Sequence, residues 1–405
     1  MIERLKSNAE VKAVGDKYLV GNHARMPISI ARGEGVYVWD MDGNKYLDFV
    51  GGIAVNGLGH KHPAVMKALQ ERMDTILHCS NYFYNEPAVL LAQLICENTI
   101  FDKVLFSNSG AESNEALIKL ARKYQKDHGH PEKYVMLSME KSFHGRTLAT
   151  CAMTGQDKIQ IGFEPMPDGF KYAKFNDIED VKAKCTDDVA AIIVEPVQGE
   201  GGVLPAEKSF LEGLRQLCDE KGVLLFFDEV QVGCGRTGNL FAYQTYGVEP
   251  DAISMAKELG SGVPIGGICT RGECSMTFTP GTHGSTYAGN PLVTSVALAT
   301  LDTMINGGLL EHCREMGEYF RERLNEIAGR HSGVECVRGL GMINGMVLKK
   351  DGHDVVDKLF EQGILINCTA VTVLRFIPPL IADKAEIDIV CDAVDKALTE
   401  CGYDE

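Results

Sequence analysis

Between residues 61 and 300 the chain alternates short, wholly apolar runs with longer stretches that are apolar at every third or fourth position. The runs at 104–106, 134–137, 190–194, 223–227, 252–256 and 267–269 are too short for helices and too uniformly apolar for strands with one wet face. They predict strands buried on both faces. The periodic stretches at 63–74, 86–97, 111–126 and 210–220 predict amphipathic helices between them. Together they predict an α/β fold with a mostly parallel central sheet, in which ligands lie at the carboxyl ends of the strands.

The flanks read differently. Val36-Tyr37-Val38-Trp39 runs through Asp40-Met41-Asp42-Gly43-Asn44 into Tyr46-Leu47-Asp48-Phe49, the pattern of a hairpin with an Asp-Gly turn. A helical pattern at 292–304, free to continue past Gly307-Gly308, gives way to strand-like pieces at 342–348, 363–367 and 374–377 and a closing helix at 384–398. The expected organisation is an N-terminal segment (1–60) packed with a small α/β domain (301–405), and a large domain (61–300) between them.

With 405 residues, 45% hydrophobic and 24% charged, the chain has the size and balance of a soluble protein of two or three cores. A formal charge of −16 argues against nucleic acid or an anionic membrane as partner. Thirteen cysteines, without a Cys-x-x-Cys, are scattered through apolar segments, as in a reducing compartment. No His or Cys pair has zinc spacing, so no metal is expected. No apolar run reaches the ~18 residues of a membrane span, and Met1 to Glu10 has no secretion-signal pattern. The expected location is the cytoplasm.

The candidate chemistry sits at the predicted strand ends. Asp228 closes one apolar run and Lys257 another. A carboxylate that keeps a pyridine nitrogen protonated and a lysine that forms a Schiff base are the two handles of pyridoxal 5′-phosphate (PLP), whose ring stores the electrons of a carbanion. Asp228 can equally be an ordinary turn residue. Ser107-Asn108-Ser109-Gly110-Ala111 links a strand to a helix, which suits either a phosphate at the helix start or a simple cap by Ser109. In Ser142-Phe143-His144-Gly145-Arg146-Thr147, Phe143 can stack on a planar group or fill the core, and Arg146 can fork onto a carboxylate or sit in a surface pair. Glu200 is the only charge of a glycine-rich loop and, taken alone, reads as solvated. The hydroxyls of 282–287 suit a phosphate or a turn.

Several stretches in order along the chain resemble the class III PLP-dependent aminotransferases. They include Gly51-Gly52-Ile53-Ala54-Val55-Asn56, Asn108-Ser109-Gly110-Ala111-Glu112, Phe143-His144-Gly145-Arg146-Thr147, Glu195-Pro196-Val197-Gln198-Gly199-Glu200-Gly201-Gly202, Phe227-Asp228-Glu229-Val230-Gln231, Gly235-Arg236-Thr237-Gly238, Ala256-Lys257, His283-Gly284-Ser285-Thr286 and Arg375-Phe376. The resemblance implies fold type I and a shared site at a homodimer interface. It implies that Lys257 holds PLP covalently and that Asp228 pairs with the ring nitrogen. Gln231 would lie near the phenolic oxygen, Val230 and Phe143 against the two ring faces, and Gly110 and Ala111 at the phosphate with Thr286 of a neighbouring subunit. Arg146 would take the α-carboxylate of the substrate, with Ser285 nearby. Glu200 would mask Arg375 in one half-reaction and release it to a glutamate carboxylate in the other.

Within the family, the likeness is greatest to members that move the ω-amino group of N2-acetyl-L-ornithine to 2-oxoglutarate, a step of arginine biosynthesis. The absence of the tyrosine that ornithine-specific members carry near Ile53 points to an acylated substrate. Glu258-Leu259-Gly260-Ser261-Gly262 departs from a more glycine-rich stretch, and Ala288 stands where glycine is usual. Succinylornithine, 4-aminobutyrate or a lysine derivative as donor, an aminomutase or racemase, and a non-catalytic phosphate binder remain as alternatives.

Overall fold

The computed structural model describes residues 4–404. Its centre is a seven-stranded sheet in the order Lys103–Ser107, Gly266–Thr270, Ala252–Met255, Leu224–Asp228, Val189–Val194, Val135–Met139, Phe170–Ala173. Gly266–Thr270 runs antiparallel to both its neighbours, and the remaining pairs are parallel. The apolar runs are strands because both faces are covered: every residue of Val189–Val194 and Leu224–Asp228 is buried. The reversed strand did not stand out in sequence, since a doubly buried strand reads the same in either direction.

Helices cover the two faces. Gly110–Asp127 starts on Ser109, whose side chain accepts from Glu112 N, and buries Ala116, Leu117, Leu120 and Ala121 on one stripe. Lys208–Lys221 ends on Gly222 at φ +61, the left-handed cap that glycine takes without steric cost. Pro291–Asn306 begins on Asn290 with Pro at its first turn. It stops short of Gly307-Gly308. A separate helix, Leu309–Ala328, follows at 69°, with Gly308 at φ +75 making the corner. The continuous helix that the sequence allowed is therefore two.

The hairpin of the N-terminal stretch forms as Tyr37–Asp40 against Lys45–Asp48, with Ile30–Glu34 added on its outer side. Its other edge pairs in parallel with Ile364–Leu365, so the two ends of the chain share one sheet. The expected strand at 363–367 is split. Ile364–Leu365 belongs to that sheet, whereas Asn367–Thr369 pairs with Val373–Phe376 in a third sheet ordered Val334–Leu340, Ile343–Leu348, Val373–Phe376, Asn367–Thr369. Buried Ile366 is the crossing point. The helix Asn8–Tyr18 and the strand Val334–Leu340 had no counterpart in the sequence reading. Both are weakly patterned, with only Asn8 and Val334 buried. Among the described residues no single helix is long and apolar enough to cross a membrane.

Gly317 marks the tightest contact of Leu309–Ala328 with the third sheet. A Cβ there would lie 2.3 Å from the carbonyl oxygen of Gly341. Gly317→Ala should gain ~1 kcal/mol of helix propensity and lose about 1–3 kcal/mol to overpacking. The expected outcome is a net loss read as a lower denaturant midpoint; an unchanged midpoint would mean that the helix shifts freely.

Candidate active site

Four parallel strand ends deliver the chemistry to one place. Asp228 is the last residue of its strand and only 4% exposed. Lys257 follows Ala252–Met255 with φ +47, a left-handed conformation held by the tight turn Lys257–Gly260. Glu195 follows Val189–Val194, and Asn108 and Ser109 lead from Lys103–Ser107 into the helix at Gly110. With Val55, the 143–146 segment and residues 262–265 they enclose a cavity of about 440 Å³.

Asp228 has three donors. Its Oδ2 accepts from Asn114 Nδ2 and His144 Nδ1, both at 2.7 Å, and its Oδ1 accepts from Val230 N at 3.0 Å. Burial alone would raise its pKa, but the His144 contact and the other donors outweigh it and hold the carboxyl below the usual range. Glu195 is the opposite case. Its Oε2 accepts one bond, from Phe143 N at 3.1 Å. Burial and then the charge of Asp228 push it well above the ordinary value. Burial lowers the pKa of Lys257; the negative charge of Glu200 opposes this, and Arg375 adds to the lowering.

Arg375 lies behind Glu200, 1% exposed. Its Nη1 donates to Glu200 Oε1 at 2.6 Å and to Gln231 Oε1 at 3.2 Å, and its Nε donates to Asn367 Oδ1 at 3.2 Å. Burial would raise the carboxyl of Glu200, but the Arg375 charge holds it low. Glu200 is thus paired rather than solvated. Phe143 is half-buried in the cavity wall, with the Arg146 guanidinium 5.4 Å from its ring centroid. Gly145, at φ +141, lets this segment pass Ala111, whose Cβ would be 2.9 Å from a side chain there.

Lys257, Asp228, Gly110, Ala111, Phe143, Val230, Gln231, Arg146 and Glu200 therefore meet around one cavity, with Arg375 against Glu200. Ser285 and Thr286 do not join them within a single chain. Asn81 and Asn85 hold their segment by its carbonyls at 285, 288 and 289. Ser285 meets the wall only through Asn108, whose Nδ2 donates to its Oγ at 2.9 Å, and Thr286 is exposed. Glu195 is legible in the sequence as an acid just beyond a strand end, at the ligand-binding edge, but without a role; Asn114 and His144 escaped the sequence reading as site members. Asn114 is one helical turn past Gly110, a spacing that means something only once Asp228 is known to face that helix. His144 was hidden inside the motif that drew attention to Phe143 and Arg146.

An ionised acid and a lysine of lowered pKa in one cavity, beneath the start of an 18-residue helix, define a site for carbonyl–amine chemistry on an anionic cofactor. Residues 18–398 match the family model described as aminotransferase class-III, and the chain belongs to that family. It is 46% identical over 384 residues to the acetylornithine aminotransferase of Methanocaldococcus jannaschii, covering 95% of this chain and 96% of that protein. It is 44% identical over 389 residues to a succinylornithine transaminase/acetylornithine aminotransferase of Pseudomonas aeruginosa, covering 95% and 96%. Among solved structures, the ornithine aminotransferase of Toxoplasma gondii superposes with a TM-score of 0.95 at 33% identity, covering 99% of this chain and 97% of that one. The fold is accordingly fold type I of the PLP-dependent transferases.

The cofactor this implies is PLP, and the cavity fits it. Asp228 is a buried anion suited to a protonated ring nitrogen. The backbone N–H groups at the start of Gly110–Asp127 suit a phosphate. Phe143 and Val230 are apolar walls for a planar ring. Gly110 has an ordinary φ, yet a Cβ there would lie 2.6 Å from Val230 Cγ1. Gly110→Ala should push Val230 out of place and weaken PLP binding by at least about tenfold, ~1.4 kcal/mol. Titration of the cofactor-free protein with PLP reads this directly, and a wild-type Kd would contradict the packing.

Proposed function

We propose that this protein transfers the ω-amino group of N2-acetyl-L-ornithine to 2-oxoglutarate, giving N-acetyl-L-glutamate 5-semialdehyde and L-glutamate. The observation that carries the reading is the Glu200–Arg375 pair at 2.6 Å, beside the cavity that holds Lys257 and Asp228. The donor's reacting carbon bears no carboxylate and the acceptor's does, so a site that takes both in turn needs a cation that can be neutralised or exposed. The acetylornithine relatives at 44–48% identity support the donor. The double name of the Pseudomonas aeruginosa relative favours succinylornithine as a second donor.

When bound, PLP supplies a ring that accepts the electron pair left on carbon as a proton departs. In our reading Lys257 would hold the cofactor and, as a free amine, would take that proton and return it on the other side of the amine nitrogen. Its lowered pKa keeps enough of it unprotonated to act as a base. Asp228 keeps the ring nitrogen protonated. Glu195, whose pKa burial and the Asp228 charge raise, is disfavoured as a second negative charge there. Gln231 would serve the phenolic oxygen, Phe143 and Val230 the ring faces, and Gly110 and Ala111 the phosphate. Arg146 takes the donor's α-carboxylate through its forked guanidinium. Arg375 takes the acceptor carboxylate that sits on the reacting carbon, which the donor lacks, once Glu200 leaves it.

The site is completed in a homodimer, with Thr286 reaching the neighbour's phosphate and Ser285 its substrate. The exposure of Thr286, outside its own cavity, supports this, as do the neighbouring exposed apolar residues Tyr82, Phe83, Tyr84 and Tyr287. The thirteen unpaired cysteines support a reducing cytoplasmic setting.

Two measurements test the reading. Borohydride trapping with peptide mapping is expected to place PLP on Lys257, and a label elsewhere refutes the site. In a donor panel with 2-oxoglutarate, N2-acetylornithine should exceed 4-aminobutyrate. Arg375→Ala should then cut kcat/KM for 2-oxoglutarate by about 100-fold, ~2.7 kcal/mol of lost charged contact. Undiminished use of 2-oxoglutarate by that variant rules out the exchange.

A further inference from the structure

A buried ion pair lies directly behind the turn that carries Lys257. The next residue, Glu258, is outside the cavity wall, and its Oε1 pairs with Arg236 Nη2, the side chains being 2% and 0% exposed. The same guanidinium donates through Nη1 to the carbonyls of Met342 at 2.8 Å and Pro378 at 2.6 Å. The main chain adds a third link, Met342 N to Arg236 O at 2.9 Å.

These carbonyls are not arbitrary. Met342 precedes the strand Ile343–Leu348 and Pro378 follows the strand Val373–Phe376. The two strands pair antiparallel with Asn344 opposite Phe376, so Arg236 grips both at the same end. Pro378 lies two residues beyond Phe376, the neighbour of Arg375. Gly57 closes the far side, where a Cβ would come within 3.3 Å of Glu258 Oε1, and Gly57 O accepts from Leu380 N at 2.7 Å. Glu258 also falls in the stretch that departs from the family's glycine-rich pattern.

Resting on the function proposed above, we infer that Glu258 is a positioning residue for the acceptor half of the reaction. Through Arg236 it fixes the Lys257 turn against the strand that carries Arg375. It thereby sets where the carboxylate that Arg375 takes is held relative to the Lys257 amine. The effect is asymmetric for a physical reason. While Glu200 is paired with Arg375, the guanidinium has an ionic partner that holds it. Once Glu200 turns away, its placement depends on Asn367, Gln231 and its own strand, whose end Arg236 anchors. Asn367 and Gln231 are neutral and give one bond each, so the strand matters most in that state.

Glu258→Gln keeps the size and an acceptor for Arg236 but removes the charge. Each half-reaction of the holoenzyme is followed separately by absorbance, and binding of glutarate, a non-reacting dicarboxylate, by calorimetry. The expected result is an acceptor half-reaction slowed about tenfold with 2-oxoglutarate and glutarate bound about tenfold more weakly, while the N2-acetylornithine half-reaction changes less than about twofold. In an Arg375→Ala background the same substitution should add nothing to the acceptor defect, because the group it positions is gone. Equal losses in both half-reactions, an unchanged glutarate Kd, or an additive effect in that background would overturn the inference. Should E258Q not fold, Arg236→Lys, which keeps the charge but cannot fork onto Glu258, Met342 and Pro378 together, is expected to give the same split. A wild-type enzyme that fails to trap PLP on Lys257 refutes the function itself. A wild-type enzyme that passes, with a symmetric E258Q defect, refutes only the positioning role.

Discussion

The site depends on keeping one carboxylate ionised where water barely reaches. Asp228 is 4% exposed, and an unrelieved buried charge costs several kcal/mol. Three donors at 2.7–3.0 Å relieve it. Hydrogen bonds to a charged group contribute about 1.5–3 kcal/mol each, so three are enough to offset a penalty of that size. The donors come from three different places: a helix one turn past its start, the segment after the strand Val135–Met139, and the backbone two residues on. Because Asp228 is acceptor-only when ionised, His144 must present Nδ1–H to it, which fixes the tautomer of that ring. The packing of the sheet and its first covering helix is therefore a precondition for the charge.

That charge has consequences for its neighbours. Glu195 follows the adjacent strand and has a single donor, so burial and the charge of Asp228 raise its pKa. The two acids are separated in pKa by how many donors each receives, a pattern by which like groups acquire unlike roles. Lys257 is pushed down by burial, and the opposing pull of Glu200 is offset by Arg375 behind it. A free Glu200 would favour the ammonium form of Lys257. The Arg375 pair offsets that negative charge, so the same contact that hides a cation also favours the unprotonated lysine more than a lone lysine–glutamate pair would.

Much of this was legible from sequence, for identifiable reasons. Strands buried on both faces write continuous apolar runs, and the residue after such a run is at the ligand-binding edge, which is how Asp228 and Lys257 were found. Motif likeness then supplied Glu200 and Arg375, whose meeting no local pattern could reveal, since one lies in a loop and the other on a strand 175 residues away. What stayed hidden was tertiary. The direction of Gly266–Thr270 leaves no trace in a strand with no wet face. The split at Ile366 depends on which sheet each half can pair with. Asn114 becomes a site residue only when the helix is docked over Asp228. Ser285 and Thr286 are legible as hydroxyls in a loop, yet one chain's fold leaves them at its outer side.

The loop that carries Glu200 shows how an exchange of partners is compatible with a rigid site. Thr369 Oγ1 donates to Glu200 O at 2.8 Å, and Arg338 donates to Gly202 O through Nε at 3.0 Å and Nη2 at 2.6 Å. A Cβ on Gly199 would fall 1.6 Å from Gln231 Oε1, and one on Gly201 would fall 2.8 Å from Lys141 O. The glycines are therefore there to let the backbone press against its surroundings, and the main chain is clamped by two strands of the third sheet. Movement is left to the Glu200 side chain, which is about one-third exposed and turns on staggered torsions. Rotamer exchange is a ps–ns event, whereas loop displacement takes ns–μs and would disturb Gln231 and the cofactor beneath it. A clamped loop with one mobile carboxylate lets the cavity change its charge while keeping its shape, and that is what two substrates of different charge at one lysine require.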